Sequence, residues 1–171
     1  AGWLCSTAAL PERRDVDVGL LAAETYVQAV LEDIRTIAKL AGESTTGEMT
    51  LYTSPAWKTE VLQMAIRHAE GGGKFPMGAF MGEVMANPTM RTLGKAVQKF
   101  TGKLPAEIPR LTDAQRFVAQ GLSEFDLLSG AKDMLAQSLG LNAVHVYRAD
   151  DDTAPEHAKQ DLAGPLKPGI V

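Results

Sequence analysis

The chain has 171 residues, of which 45% are hydrophobic and 22% charged, with 21 acidic against 17 basic residues and a net charge of -4. That balance fits one ordinary soluble domain, or a small domain with a helical attachment, and the net charge on its face argues against nucleic acid. No apolar run approaches the ~18 residues of a bilayer span, and the single Cys5 excludes an intrachain disulfide and suits a reducing, cytoplasmic compartment.

Residues 1–15 lack the basic start and long apolar stretch of a signal peptide. The chain opens at Ala1 and closes in the apolar pair Ile170-Val171, which reads as a piece of something longer. After a charged approach, Pro11 to Asp15, the residues Leu20, Leu21, Val27, Val30, Leu31, Ile34, Ile37 and Ala41 recur at helical spacing. They predict a long helix from about Asp17 to Ala41, stopped by Gly42. A polar segment, Glu43 to Gly47, then marks a soft boundary. Met49 to Thr53 alternates in period 2 and predicts a strand. Ser54 offers an N-cap oxygen and Pro55 suits the first turn of the helix that follows. In that helix Trp57, Val61, Met64 and His68 share one face, and Glu60, Gln63, Arg67 and Glu70 the other.

Gly71 to Gly73 with Lys74 look like a phosphate loop only superficially. They follow a helix, lack Ser or Thr after the lysine, and miss the required frame, so they read as a helix stop and connector. Met77, Phe80, Met81, Val84 and Met85 form an apolar helical stripe suited to core packing. Asn87-Pro88 opens a helix to about Phe100, with Met90, Leu93, Val97 and Phe100 on one face. Arg91, Lys95 and Lys99 stand at successive i,i+4 positions nearly opposite. Pro105 and Pro109 bracket a linker; Thr112 to Gln115 spell a capping box before a short helix with Phe117 and Val118 inward. Leu128, Ala131, Leu135 and Leu139 stripe another helix, ended by Gly140. Asn142 to Arg148 predicts a second strand, Asp150 to Asp152 a solvated acidic turn, and the tail from Pro165 a third strand. The predicted fold is α+β: a small sheet packed by several helices, preceded by a long helix from a helical bundle. The two strands near 49–53 and 143–148 should share one sheet, because the intervening apolar helix faces need a common surface.

The charge is unevenly spread. Residues 91–116 hold six basic and two acidic residues, a net +4 inside a chain of -4. No acidic residue stands at i±3 or i±4 of Arg91, Lys95 or Lys99 within their helix, so this stripe is a candidate basic face as well as a possible solvated surface. Nothing resembles a catalytic constellation. The histidines are scattered, no pair has metal spacing, and there is neither a G-x-S-x-G nor a dinucleotide fingerprint. His68 reads as a packing histidine. On residues alone the chain is a binding or scaffolding unit with no catalytic residue, metal or cofactor of its own.

The order of motifs resembles one family. Ala23-Glu24-Thr25-Tyr26-Val27 through Glu32-Asp33-Ile34, then Leu51-Tyr52-Thr53-Ser54-Pro55-Ala56-Trp57-Lys58, are similar to the end of the anticodon-binding bundle and the start of the C-terminal domain of archaeal/eukaryotic-type leucyl-tRNA synthetases. Met85 to Arg91, Gly94 to Val97, Glu124-Phe125, Ala131 to Leu135 and Gly140-Leu141 follow in the same order. The closing Pro165-Leu166-Lys167-Pro168-Gly169-Ile170 is close to that family's C-terminal signature. The resemblance implies a helical bundle end over 1–42 and a C-terminal α+β tRNA-binding domain over 43–171. It implies a parent enzyme that uses ATP and Mg to join leucine to tRNA, whose catalytic signature sequences do not occur here. The expected partners are leucine-accepting tRNA, met at its long variable arm and elbow, and the rest of the synthetase chain; no membrane is expected. The RNA-contacting residues implied are Arg91, Lys95, Lys99, Lys103, Lys167, Ile170 and Val171. The alternative is a protein-interaction module that docks on the synthetase body and touches no RNA.

Overall fold

A computed structural model describes residues 17–41 and 47–171. The approach segment 11–15, Cys5, the Gly42 helix stop and the boundary at 42/43 lie outside the described residues. Helix α1 (Val18–Ala41) is followed by strand β1 (Glu48–Thr53) and then by helices α2 (Ala56–Ala69), α3 (Met77–Ala86), α4 (Pro88–Thr101) and α5 (Leu104–Glu107). A 3-10 turn (Ile108–Arg110) leads to α6 (Asp113–Gly121), α7 (Glu124–Leu139), β2 (Ala143–Arg148) and β3 (Gly169–Ile170).

The sheet has the order β2-β1-β3. β1 and β2 run parallel with Glu48 opposite Ala143 and Thr53 opposite Arg148, so the whole of α2–α7 forms the crossover that a parallel pair requires. The one-sheet expectation therefore holds, and so does the third strand: β3 lies antiparallel to β1, with Leu51 opposite Ile170. Because β1 is central, Leu51, Tyr52 and Thr53 are all buried, and its alternation is lost at that end.

α2 is the hub of the crossover. Its Val61, Leu62, Ala65 and Ile66 are buried, with α3, α4, α5 and α6 packed around it. Trp57 meets Phe100 of α4 edge-on at 5.6 Å between centroids. His68 stands edge-on to Phe80 and bonds Glu83 through Nε2 at 2.6 Å, so it packs as expected but also joins a polar clamp with Arg67 across α2 and α3. α1 packs against α6 and α7 and buries Ala22, Tyr26, Val27, Val30, Leu31 and Ile34 in the common core.

Several local expectations are corrected. Ser54 does not cap α2: Pro55 is the N-cap, and the Asp150 carboxylate, 94 residues on, accepts from Ala56 N at 2.9 Å. An acid supplied from the β2 exit satisfies the same orphan donor and suits the positive helix end. The supposed linker between Pro105 and Pro109 is helical, α5 plus the 3-10 turn, with Leu104 and Ile108 buried. Proline is tolerated there because each sits in a first turn. Phe117 points outward at 40% exposure while Val118 is fully buried; on the α1 stripe Leu20, Leu21 and Ile37 are likewise exposed. Finally, α4 is not straight. Gly94 adopts φ 24, ψ -90, a conformation that L side chains rarely take, and it breaks the helix between Arg91 and Lys95.

Candidate nucleic-acid interface

The kink in α4 separates the basic stripe into two. Arg91, before it, is tied back by its guanidinium donating to Ala86 O at 3.4 Å. Lys95 is exposed just after it. Lys99 continues into a cleft of about 570 Å³ that lies between the start of α2, the end of α4, the α5 turn and the tail. Lys58, Lys99, Lys103, Arg110 and Lys167 line this cleft, against only Glu107 and Asp161. Trp57, Phe100 and Leu104 give it an apolar wall.

These residues converge for local reasons. Lys99 and Lys103 are four apart, one turn of helix, where α4 runs into α5. Lys58 sits in the first turn of α2, and its Nζ reaches the tail, donating to Ala163 O at 2.6 Å and Asp161 O at 3.2 Å. The tail then folds back in a tight turn that brings Lys167 alongside. Among the described residues none of the five cations lies within ion-pair distance of a carboxylate. Burial holds the Lys58 ammonium below the usual lysine range; neighbouring Asp161 opposes this, and Lys103 adds to it. Lys58 and Lys103 lie near enough to repel each other, and an anion between them would relieve that repulsion. Aromatic wall plus uncompensated cations is the chemistry of a surface that takes a phosphate backbone and stacks a base.

Of the residues named from sequence, the cleft gathers Lys99, Lys103 and Lys167. Ile170 and Val171 are elsewhere, at the sheet edge. Ile170 pairs with Leu51 and its carbonyl accepts from Lys159 Nζ at 2.9 Å, while Val171 exchanges backbone bonds with Thr50 at 2.7 and 2.9 Å. Lys58, Arg110 and Trp57 were missed as site residues. Arg110 falls inside the basic window 91–116, and Lys58 stands next to Trp57 on an amphipathic helix, a cation beside a ring, but neither pattern ties them to the cleft. Another concavity, around Asp150 to Asp152, is acidic, and its Asp151 forms a local turn with Thr153. No group of three potential metal ligands occurs among the described residues. None of their helices is long and apolar enough to cross a membrane.

No protein-family model matches the chain, but its curated relatives are aminoacyl-tRNA synthetases. Specifically, it is 32% identical over 158 residues to the leucine–tRNA ligase of Methanosarcina acetivorans, covering 91% of this chain and 16% of that protein. It is 34% identical over 159 residues to that of Methanothermobacter thermautotrophicus, covering 93% and 15% respectively. With the Pyrococcus furiosus enzyme the identity is 28% over 149 residues. The chain is thus related, over nearly all its length, to one segment of archaeal leucine–tRNA ligases, consistent with a C-terminal fragment. It spans about 16% of the length of those relatives.

Proposed function

We propose that the chain is the tRNA-binding C-terminal portion of a cytoplasmic leucine–tRNA ligase. It holds leucine tRNA, at the long variable arm and elbow, for aminoacylation by a catalytic domain that needs ATP and Mg and is not contained in these residues. The observation that carries this reading is the cleft: five cations, none ion-paired among the described residues, beside the Trp57 and Phe100 rings. Phosphates would meet Lys99, Lys103, Arg110 and Lys167, and an unpaired base could lie against the aromatic wall. Lys95 extends the basic surface up to the kink, and Arg91, tied back to Ala86 on its far side, stands outside the contact. Ile170 and Val171 act on the RNA from the sheet edge, through their exposed atoms.

A second reading is favoured by one feature. Along α1, Val18, Leu20, Leu21 and Leu40 are 53–83% exposed, a set of apolar groups suited to docking on the synthetase body. The two readings differ in salt dependence. RNA held through phosphates loses affinity steeply as salt rises, whereas apolar docking does not. The test is titration of the chain with leucine tRNA, intact and with its variable arm shortened. Binding that weakens with salt and with arm shortening supports the tRNA reading. Absence of binding to either tRNA, with salt-insensitive association to the rest of the synthetase, defeats it.

A further inference from the structure

Lys167 reaches the cleft from a tight turn, and that turn is held from beneath by a buried acid. Gly164 and Lys167 exchange both backbone hydrogen bonds at 3.0 Å, with Pro165 and Leu166 at the centre. Leu166 has φ 63, a left-handed conformation that turns of this kind normally give to glycine or asparagine. Its N–H finds no partner within the turn. It donates instead to Glu124 Oε1 at 2.8 Å, and the same oxygen accepts the Tyr26 hydroxyl at 2.7 Å. Glu124 and Leu166 are each 9% exposed and Tyr26 is 4% exposed. The start of α7, the middle of α1 and the tail therefore meet at one oxygen atom.

A carboxyl is poor packing material compared with leucine or methionine of similar volume. Burial pushes the Glu124 carboxyl above the usual carboxylate range, against the two hydrogen bonds that favour its ionised form. What the acid supplies, and an apolar residue would not, is an acceptor for the one donor that the turn leaves over. Whether ionised or protonated, Oε1 can still accept both bonds, so the hold does not depend on charge.

We propose that Glu124 is the positioning residue of the tail: its Oε1 fixes the Pro165–Leu166 turn in its left-handed form and thereby sets Lys167 in the cleft. The consequence for RNA rests on the tRNA reading above; the consequence for the turn does not. The test uses Glu124→Gln, Glu124→Leu, Tyr26→Phe and Lys167→Gln, plus the double variant Glu124→Leu/Lys167→Gln, all in the whole chain. Two readouts are taken, amide exchange at Leu166 and affinity for leucine tRNA. Exchange should accelerate by about tenfold or more in Glu124→Leu, as expected when a buried amide loses its acceptor, and stay near the parent rate in Glu124→Gln and Tyr26→Phe. At 0.1 M salt Lys167→Gln should lose about five- to eightfold in affinity, the share of one phosphate contact. Glu124→Leu should lose the same, and the double variant no more, because both remove one contact. Glu124→Gln should bind like the parent, and Tyr26→Phe should lose stability but not affinity. Should Glu124→Leu fail to fold, Glu124→Met takes its place.

An unchanged Leu166 exchange rate in the apolar variant overturns the proposal, and so do losses that multiply in the double variant. If Lys167→Gln binds as tightly as the parent, the contact assigned to Lys167 in the tRNA reading fails, while the exchange comparison still decides whether Glu124 holds the turn.

Discussion

Replacing Lys99, Lys103 and Lys167 together by glutamine should remove most of the RNA affinity while leaving the fold in place. All three side chains are exposed and none is ion-paired among the described residues. Such surface changes typically alter stability by about 0.5 kcal/mol or less each. If each lysine neutralises one phosphate, the slope of log affinity against log salt should fall by about 0.7 per contact for single-stranded RNA and about 0.9 for a duplex as judged from DNA. Three contacts then amount to about 2.1 to 2.7 in slope, or roughly a hundred- to five-hundredfold in affinity at 0.1 M salt. Arg91→Gln is the internal control. Its guanidinium lies on the far side of the Gly94 kink, outside the cleft lining, and is already engaged with Ala86. Its slope should stay close to that of the parent. Fluorescence anisotropy of labelled leucine tRNA, run from 50 to 300 mM potassium chloride on order-of-magnitude protein dilutions, gives both quantities. A triple variant that keeps the parent slope, or an Arg91→Gln that loses as much as the triple variant, would refute the assignment of the cleft.

Two predictions concern the scaffold. A Cβ at Gly169 would stand 2.6 Å from Lys159 O, a backbone atom that cannot swing aside, so Gly169→Ala should destabilise the chain by about 1–3 kcal/mol in urea unfolding; a change under about 0.5 kcal/mol would mean the tail gives way freely. Because the folded-state pKa of Glu124 is raised, the folded chain binds the extra proton, so its contribution to stability is greatest below the ordinary glutamate pKa and is lost as pH rises through the folded value. Glu83, whose carboxyl is held low by His68 and then Arg67, works in the opposite direction, losing stability as pH falls. Unfolding of Glu124→Gln should lack the decline on the rising-pH side, and a pH profile parallel to that of the parent would contradict the direction.

The elements that carry their own local signal were legible in the sequence. The strand at 49–53, the capping box at Thr112, the glycine stop at Gly140 and the β-branched alternation around Val144 each depend on neighbours within a few residues, and each is present. What failed depended on distant partners. Ser54 lost the α2 cap to Asp150 because tertiary contact brought a stronger acceptor. Phe117 and Leu21 look apolar enough to be buried, yet they stand 40% and 53% exposed, because a helical stripe does not tell which of its positions meets a neighbour. The basic stripe was read from an ideal helix period, which cannot register a kink at Gly94. The cleft itself was only half visible. Lys99 and Lys103 share a helix turn, but Lys58 and Lys167 join them only through the fold-back of the tail onto α2. Glu124 gave no sign of its burial, since an acid in the first turn of a helix is ordinary on a surface and becomes informative only when found buried.

Lysine reactivity in the presence and absence of leucine tRNA tests the central claim most directly. Acylation with a small amine-reactive ester, read by mass spectrometry, reports each lysine separately. Lys58, Lys99, Lys103 and Lys167 line the cleft, whereas Lys39, Lys74 and Lys132 are exposed and lie outside it. A chain that holds RNA in the cleft should show tRNA-dependent protection at the first set and unchanged reactivity at the second, with the protection fading as salt rises. Protection confined to Lys39, Lys74 or Lys132, or no protection at tRNA concentrations that saturate binding, would contradict the account.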